Sequence, residues 1–249
     1  ELFLAAGCQL IGVTDHAESF DREKLERYVA ECAELSDERI ALVPGLEFAC
    51  RQNMHILGYG VTRRVNSDQP ADVLRHIADQ GGVSVIAHPK NDFFDWIRTF
   101  DVLPDGIEVW NSKYDGRHAP RPETFRLVTE LRGRRPDLHG FYGIDLHWRH
   151  QFRDLHVRLL DAMTSSRVEA ERSRSHLVET LRAGRFVGLC GALELPSDAQ
   201  LSEQRARDFA VRHGRSRRIR QVLVRAKRLA EAMGARAPDR LKAQLRRLF

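Results

Sequence analysis

Val83-Ser84-Val85-Ile86-Ala87-His88-Pro89 is an apolar run of strand length that ends on a metal-ligating side chain. Three other segments repeat the pattern: Ile11-Gly12-Val13-Thr14-Asp15-His16, Val43-Pro44-Gly45-Leu46-Glu47 and Tyr142-Gly143-Ile144-Asp145-Leu146-His147. In a fifth segment, His55 stands directly before Ile56-Leu57-Gly58. His, Glu and Asp are side chains that bind Zn, Mn or Fe. Ligands at the ends of several buried strands converge on one face when the strands close into a (β/α) barrel.

Between these runs the spacing turns helical. Asp21 to Leu35 places Leu25, Val29, Cys32 and Ala33 on one face, with Asp21 as the N-cap. Pro70 to Gln80 opens on proline and closes at Gly81-Gly82. Arg121 to Leu131 and Arg174 to Arg182 read as further helices. Gln9 to Val13, Ile40 to Val43, Ile56 to Tyr59, Gly106 to Trp110, Phe141 to Ile144 and Phe186 to Leu189 read as strands. Strands alternating with helices predict a parallel α/β sheet, closed or nearly closed as a barrel. Glu1-Leu2-Phe3-Leu4-Ala5-Ala6-Gly7 reads as the end of a helix stopped by glycine. The expectation is a fragment whose first barrel strand is missing.

With 249 residues, 42% hydrophobic and 30% charged, the chain suits one barrel-sized enzyme domain with an appendage. No stretch approaches the roughly 18 consecutive apolar residues of a membrane span, and no secretory leader is visible. Cys8, Cys32, Cys50 and Cys190 are dispersed without a C-x-x-C pair. They read as thiols in a reducing compartment, so the expected location is cytoplasmic.

Charge is distributed unevenly. Residues 203–249 hold 15 Lys and Arg against 4 Asp and Glu, a net of +11, so the +5 of the whole chain leaves −6 for residues 1–202. The expected division is a catalytic barrel over 1–195 and a basic helical extension over 196–249. Ile219, Val222, Leu223, Ala226, Leu229, Ala230 and Met233 form an apolar stripe in that extension. Two readings stay open for it: contact with nucleic acid or another polyanion, or a solvated helix packed by its stripe. Phe209 and Phe249 are its only aromatic residues for stacking on bases.

Among the ligand types, Asp145 and His147 sit two apart and would share one side of a strand. Glu47, between Leu46 and Phe48, is a carboxylate in apolar surroundings and needs a compensating cation. Asp15 reads as orienting a ligand by hydrogen bonding. Lys90, Lys113 and Arg117 lie near strand ends, where a phosphate would need positive charge. Each alone reads as ordinary surface charge. His118, His139, His150 and His156 lack a motif and read as surface or loop residues.

Together, Thr14-Asp15-His16, Gly45-Leu46-Glu47, His55-Ile56-Leu57-Gly58, Ala87-His88-Pro89 and Gly143-Ile144-Asp145-Leu146-His147 resemble the PHP (polymerase and histidinol phosphatase) family of metal-dependent phosphoesterases. Ile107-Glu108-Val109-Trp110-Asn111-Ser112 is similar to the family's strand after the His-Pro motif, and Thr180 to Phe186 to a helix end after its core. The resemblance spans roughly residues 1 to 190 and leaves the extension unexplained. It implies a distorted seven-stranded (β/α) barrel, here without its first strand, and up to three divalent ions, Zn, Mn or Fe. It implies that Glu47 bridges two ions, that His55 and His88 complete one site, that His16 and His147 serve a second, and that Asp145 serves a third. It also implies a first motif, Asp-x-His-x-His, before His16; this sequence does not contain it.

The expected activity is hydrolysis of a phosphate ester, on a small phosphorylated substrate or nucleotide, by metal-activated hydroxide. His16 or His147 would assist the leaving group, with Asp15 as their companion in catalysis. Two alternatives stay open: a metal-dependent hydrolase of a non-phosphate ester or amide, and a non-catalytic scaffold with a nucleic-acid-binding tail.

Overall fold

In the computed structural model the described residues are 1–116, 119–161 and 170–232. The apolar runs form one six-stranded sheet in the order β1 (Leu10–His16), β2 (Ala41–Cys50), β3 (Met54–Tyr59), β4 (Val83–Ala87), β5 (Gly106–Asn111) and β6 (His139–Gly143). The sheet curls into half a barrel. Its central strands are buried on both faces: every residue of β4 and β5 is buried. That is why these runs read as continuous apolar stretches without polar alternation.

The sheet is mixed, where a parallel one was expected. β1–β2, β4–β5 and β5–β6 pair parallel, but β3 runs antiparallel to both β2 and β4. The cause is local. Only Arg51–Asn53 separates β2 from β3, and a parallel connection needs a dozen residues or more. Gln52 and Asn53 take left-handed φ values of 61° and 58° to make the turn. β2 also runs further than expected, to Cys50, so Glu47 lies inside the strand and not beyond its end.

Helices cover the outside. α1 (Leu2–Ala5) is a single turn. In α2 (Arg22–Glu34), Asp21 caps the first turn by accepting from Lys24 N–H at 2.9 Å, and Leu25, Tyr28 and Cys32 are buried. The Tyr28 hydroxyl lies 2.9 Å from Val13 O and 3.0 Å from Gly45 O, tying α2 to β1 and β2. α3 (Pro70–Asp79) and α5 (Pro122–Leu131) both open on proline, and α4 (Phe94–Arg98) is short. α6 (Ala170–Arg182) ends before Gly184, whose φ of 66° suits glycine.

A second sheet joins β7 (His156–Leu159), β8 (Phe186–Cys190) and β9 (Leu193–Pro196), all antiparallel. Only part of β8 was anticipated. The expected division after residue 195 falls within β9. Beyond it the chain stays tied to the main sheet: Gly140 N–H donates to Ser197 O at 2.7 Å and the Tyr142 hydroxyl to Pro196 O at 2.7 Å. α7 (Glu203–Ala232) docks through Phe209, which is buried and 6.5 Å from the Phe125 ring centroid. Val211, Ile219 and Val222 further along α7 are exposed. The stripe side chains from Ala226 onward, Met233 and residues 234–249 lie outside the described set, as do Arg117 and His118. No helix among the described residues is long and apolar enough to cross a membrane.

Candidate metal centre

Strand register builds the first part of the site. His16 pairs with Glu47 across β1–β2, and His55 pairs with Ala49 on one side and Ala87 on the other. Directly paired residues share a face, so His16, Glu47 and His55 project together. Strict alternation would send His88, one residue past Ala87, to the opposite face. His88 instead takes φ 29°, a left-handed conformation that is costly for a non-glycine residue. It leaves the strand geometry and brings Nε2 to 3.4 Å from Glu47 Oε1.

Glu47 is the hub, with 7% exposure. Its Oε1 lies 2.6 Å from His55 Nδ1, and its Oε2 lies 3.7 Å from His16 Nδ1. Burial alone would raise the Glu47 carboxyl. Hydrogen bonds from His55 and His88, with the charge of His55 and His16, outweigh it and hold the group well below the usual carboxylate range. Burial pushes His88 down, but Glu47, Glu108 and Asp145 around it leave the imidazole raised.

Glu47, His55 and His88 each present one ligand atom, all within 4.8 Å of one another. Ligands about 2.1 Å from one tetrahedral ion stand roughly 3.4 Å apart, close to the observed Glu47–His88 separation. His16 Nδ1 is buried without a hydrogen bond among the described residues. A donor set of one carboxylate and two imidazoles, Glu47, His55 and His88, fits a divalent cation.

Asp145 and His147 reach the same site by another route. They do not lie on a strand, as expected; β6 ends at Gly143 and both stand in the following loop. Asp145 takes φ 49° and places Oδ2 3.8 Å from His88 Nε2 and Oδ1 3.0 Å from His147 Nδ1. The His147 ring centroid is 6.2 Å from that of His16. The structure therefore brings six sequence-nominated residues together: His16, Glu47, His55, His88, Asp145 and His147.

Asp15 is not among them. As the neighbour of His16 on a strand it faces the other way and is exposed, on the side of Tyr28 and Cys32 of α2, both of which are raised chiefly by burial. No hydrogen bond links its carboxylate to a site histidine among the described residues. Lys90 is exposed, beside the Phe93 ring. His139 was read as a surface residue, yet it is buried at the start of β6, where burial lowers its pKa.

Supporting residues surround the cluster. Glu108, 3% exposed, accepts the His88 N–H at 2.7 Å and Asn111 Nδ2–H at 2.9 Å on the same oxygen. Burial pushes its carboxyl up to about 7. A Cβ at Gly143 would meet Glu108 Oε1, so a larger residue there would displace that carboxylate. The Tyr114 ring lies over His88, centroids 4.4 Å apart. Lys113 Nζ enters the site at 2.9 Å from Asp145 Oδ1.

The fold and this cluster define a mixed α/β half-barrel with a candidate Glu/His/His metal site. Among solved structures, the chain is similar to a two-domain protein from Bacteroides vulgatus containing a predicted PHP-like metal-dependent phosphoesterase. The two are 16% identical with a TM-score of 0.51, over 78% of this chain and 61% of that one. That likeness concerns the fold, and this chain spans 61% of the neighbour's length. No family model matches the chain, and no curated protein matches it.

Proposed function

We propose that the chain is a metal-dependent hydrolase acting on a phosphate ester. The observation that carries the reading is the convergence of Glu47, His55 and His88, with His16, Asp145 and His147 around them. The neighbour's PHP-like phosphoesterase supports the choice of ester.

Glu47, His55 and His88 would hold a divalent ion, Zn, Mn or Fe, which would supply Lewis-acid charge and an acidified water. The protein's own groups do the rest. Glu47 fixes His55 through the 2.6 Å hydrogen bond. Glu108 holds the His88 backbone. His16 Nδ1, without a hydrogen bond, is placed to take up a proton. His147, 43% exposed at the rim, is placed to return one to a departing alkoxide.

The test is turnover of phosphate mono- and diesters by chelated and metal-reloaded protein, compared with carboxylic esters. Metal-dependent release of phosphate, inhibited by vanadate, is the expected result. Cleavage of carboxylic esters or amides alone would move the reading to carbonyl chemistry, and no turnover with any ion would remove it.

A further inference from the structure

The Asp145 end of the site already contains a cation. Lys113 Nζ lies 2.9 Å from Asp145 Oδ1 and 3.2 Å from His147 Nδ1. The side chain is 25% exposed, and its ammonium stands 5.2 Å from the Tyr114 ring centroid. The turn that carries it is rigid. Lys113 N–H donates to Asn111 Oδ1 at 3.1 Å, and Asn111 N–H donates to Asp115 Oδ2 at 2.9 Å. Asp115 is buried and paired with Arg121 at 2.5 Å. Lys113 is therefore delivered to the site by a fixed turn and is not a wandering surface chain.

A divalent ion bound by Asp145 Oδ1 and His147 Nδ1 would need the same two atoms that the ammonium takes, at about 2.1 Å from each. The two cations would compete for one carboxylate in a half-buried place, where charge repulsion is poorly screened. The Glu47 end differs: its ionic partners among the described residues are histidines.

We propose that Lys113 is the second cation of this centre. Its ammonium occupies the place an ion would have at Asp145 and His147. The centre then works with one divalent ion, at Glu47–His55–His88, and one fixed monovalent charge beside it. A phosphoryl group bound at the ion site would meet that charge on its flank. The inference rests on the metal-dependent reading above and adds the number and kind of charges.

The experiment counts zinc per chain after chelation, reloading with Zn²⁺ and desalting, with circular dichroism to show that each variant is folded. Wild type should hold one ion. Lys113→Ala should hold two, Lys113→Arg one, and Lys113→Ala with Asp145→Asn one again. Asp145→Asn alone should keep the single ion, which tests the inference without altering Lys113. Two or more ions in the wild type, a count that stays at one in Lys113→Ala, or loss of the ion in Asp145→Asn would each overturn it. A wild type that takes up no ion overturns both this inference and the metal-dependent reading beneath it, whereas a His88-dependent single ion unaffected by Lys113→Ala overturns the inference alone.

Discussion

The two ends of the site are built on different scaffolds. Glu47 and His55 come from the interiors of adjacent hydrogen-bonded strands, and His88 leaves a strand buried at every position. Asp145 and His147 stand on a loop, one of them with a left-handed backbone, and are met by a lysine. A strand-built cluster is held by the core and keeps its ligand spacing without a metal. A loop-built pair must be held by its own contacts, and here the ammonium of Lys113 provides one. The first arrangement suits permanent binding of an ion, the second suits contact with a substrate that comes and goes.

The largest effect should come from breaking the strand-built end. His88→Ala should remove the bound ion and lower metal-dependent turnover by roughly 100-fold or more, with secondary structure unchanged by circular dichroism. Retained activity would take His88 out of the centre. Next is the support behind it. Glu108→Ala leaves the His88 N–H without its acceptor and should weaken zinc binding by about 10- to 100-fold. Glu108→Gln keeps an acceptor oxygen and should restore most of the affinity; equal losses in both variants would mean that the charge, and not the hydrogen bond, matters.

A smaller effect is expected at the loop-built end. His147→Ala should reduce turnover by about 10- to 100-fold while the ion content stays at the wild-type value. Loss of the ion in that variant would erase the distinction between the two ends.

The last effect is read in stability against pH and not in turnover or ion content. The folded-state pKa of Glu108 is raised to about 7 from 4.5. Between these values the unfolded chain has lost the proton and the folded chain keeps it, so the unfolded state binds fewer protons and stability falls as pH rises. In chelated protein, denaturant titrations from pH 4.5 to 7 should show a downward contribution of up to about 1.4 kcal/mol per pH unit, absent in Glu108→Gln. Parallel curves for the two proteins would show that Glu108 is ionised throughout. Glu47 has the opposite sign: its depressed pKa contributes stability above 4.5 that is lost as the pH falls below it.

Much of the main sheet could be read from the chain because its strands are short apolar runs flanked by helices with clear caps, as at Asp21 and Pro70. The six clustered residues were legible for the same reason: each stands in or beside such a run. What escaped depended on backbone geometry. Asp15 adjoins a site residue in sequence and points away from it in space. The antiparallel course of β3 was written in the three residues Arg51–Asn53, whose brevity forbids a parallel return. Asp145 and His147 were read as close, which they are, but on a strand, which they are not. The second sheet escaped because β7, β8 and β9 have only four or five residues each and partial burial. Lys113 was noted as a cation near a strand end and read singly as surface charge; its contact with Asp145 depends on the turn after β5 meeting the loop after β6.

Glu47 stands at the middle of the proposed metal centre. Its most direct test is the metal content of chelated and reloaded protein, by plasma mass spectrometry, in wild type and Glu47→Gln. The expected result is one equivalent of Zn or Mn per wild-type chain and none in a folded Glu47→Gln variant. A wild type without stoichiometric metal, or a variant that binds as much as the wild type, would contradict the claim.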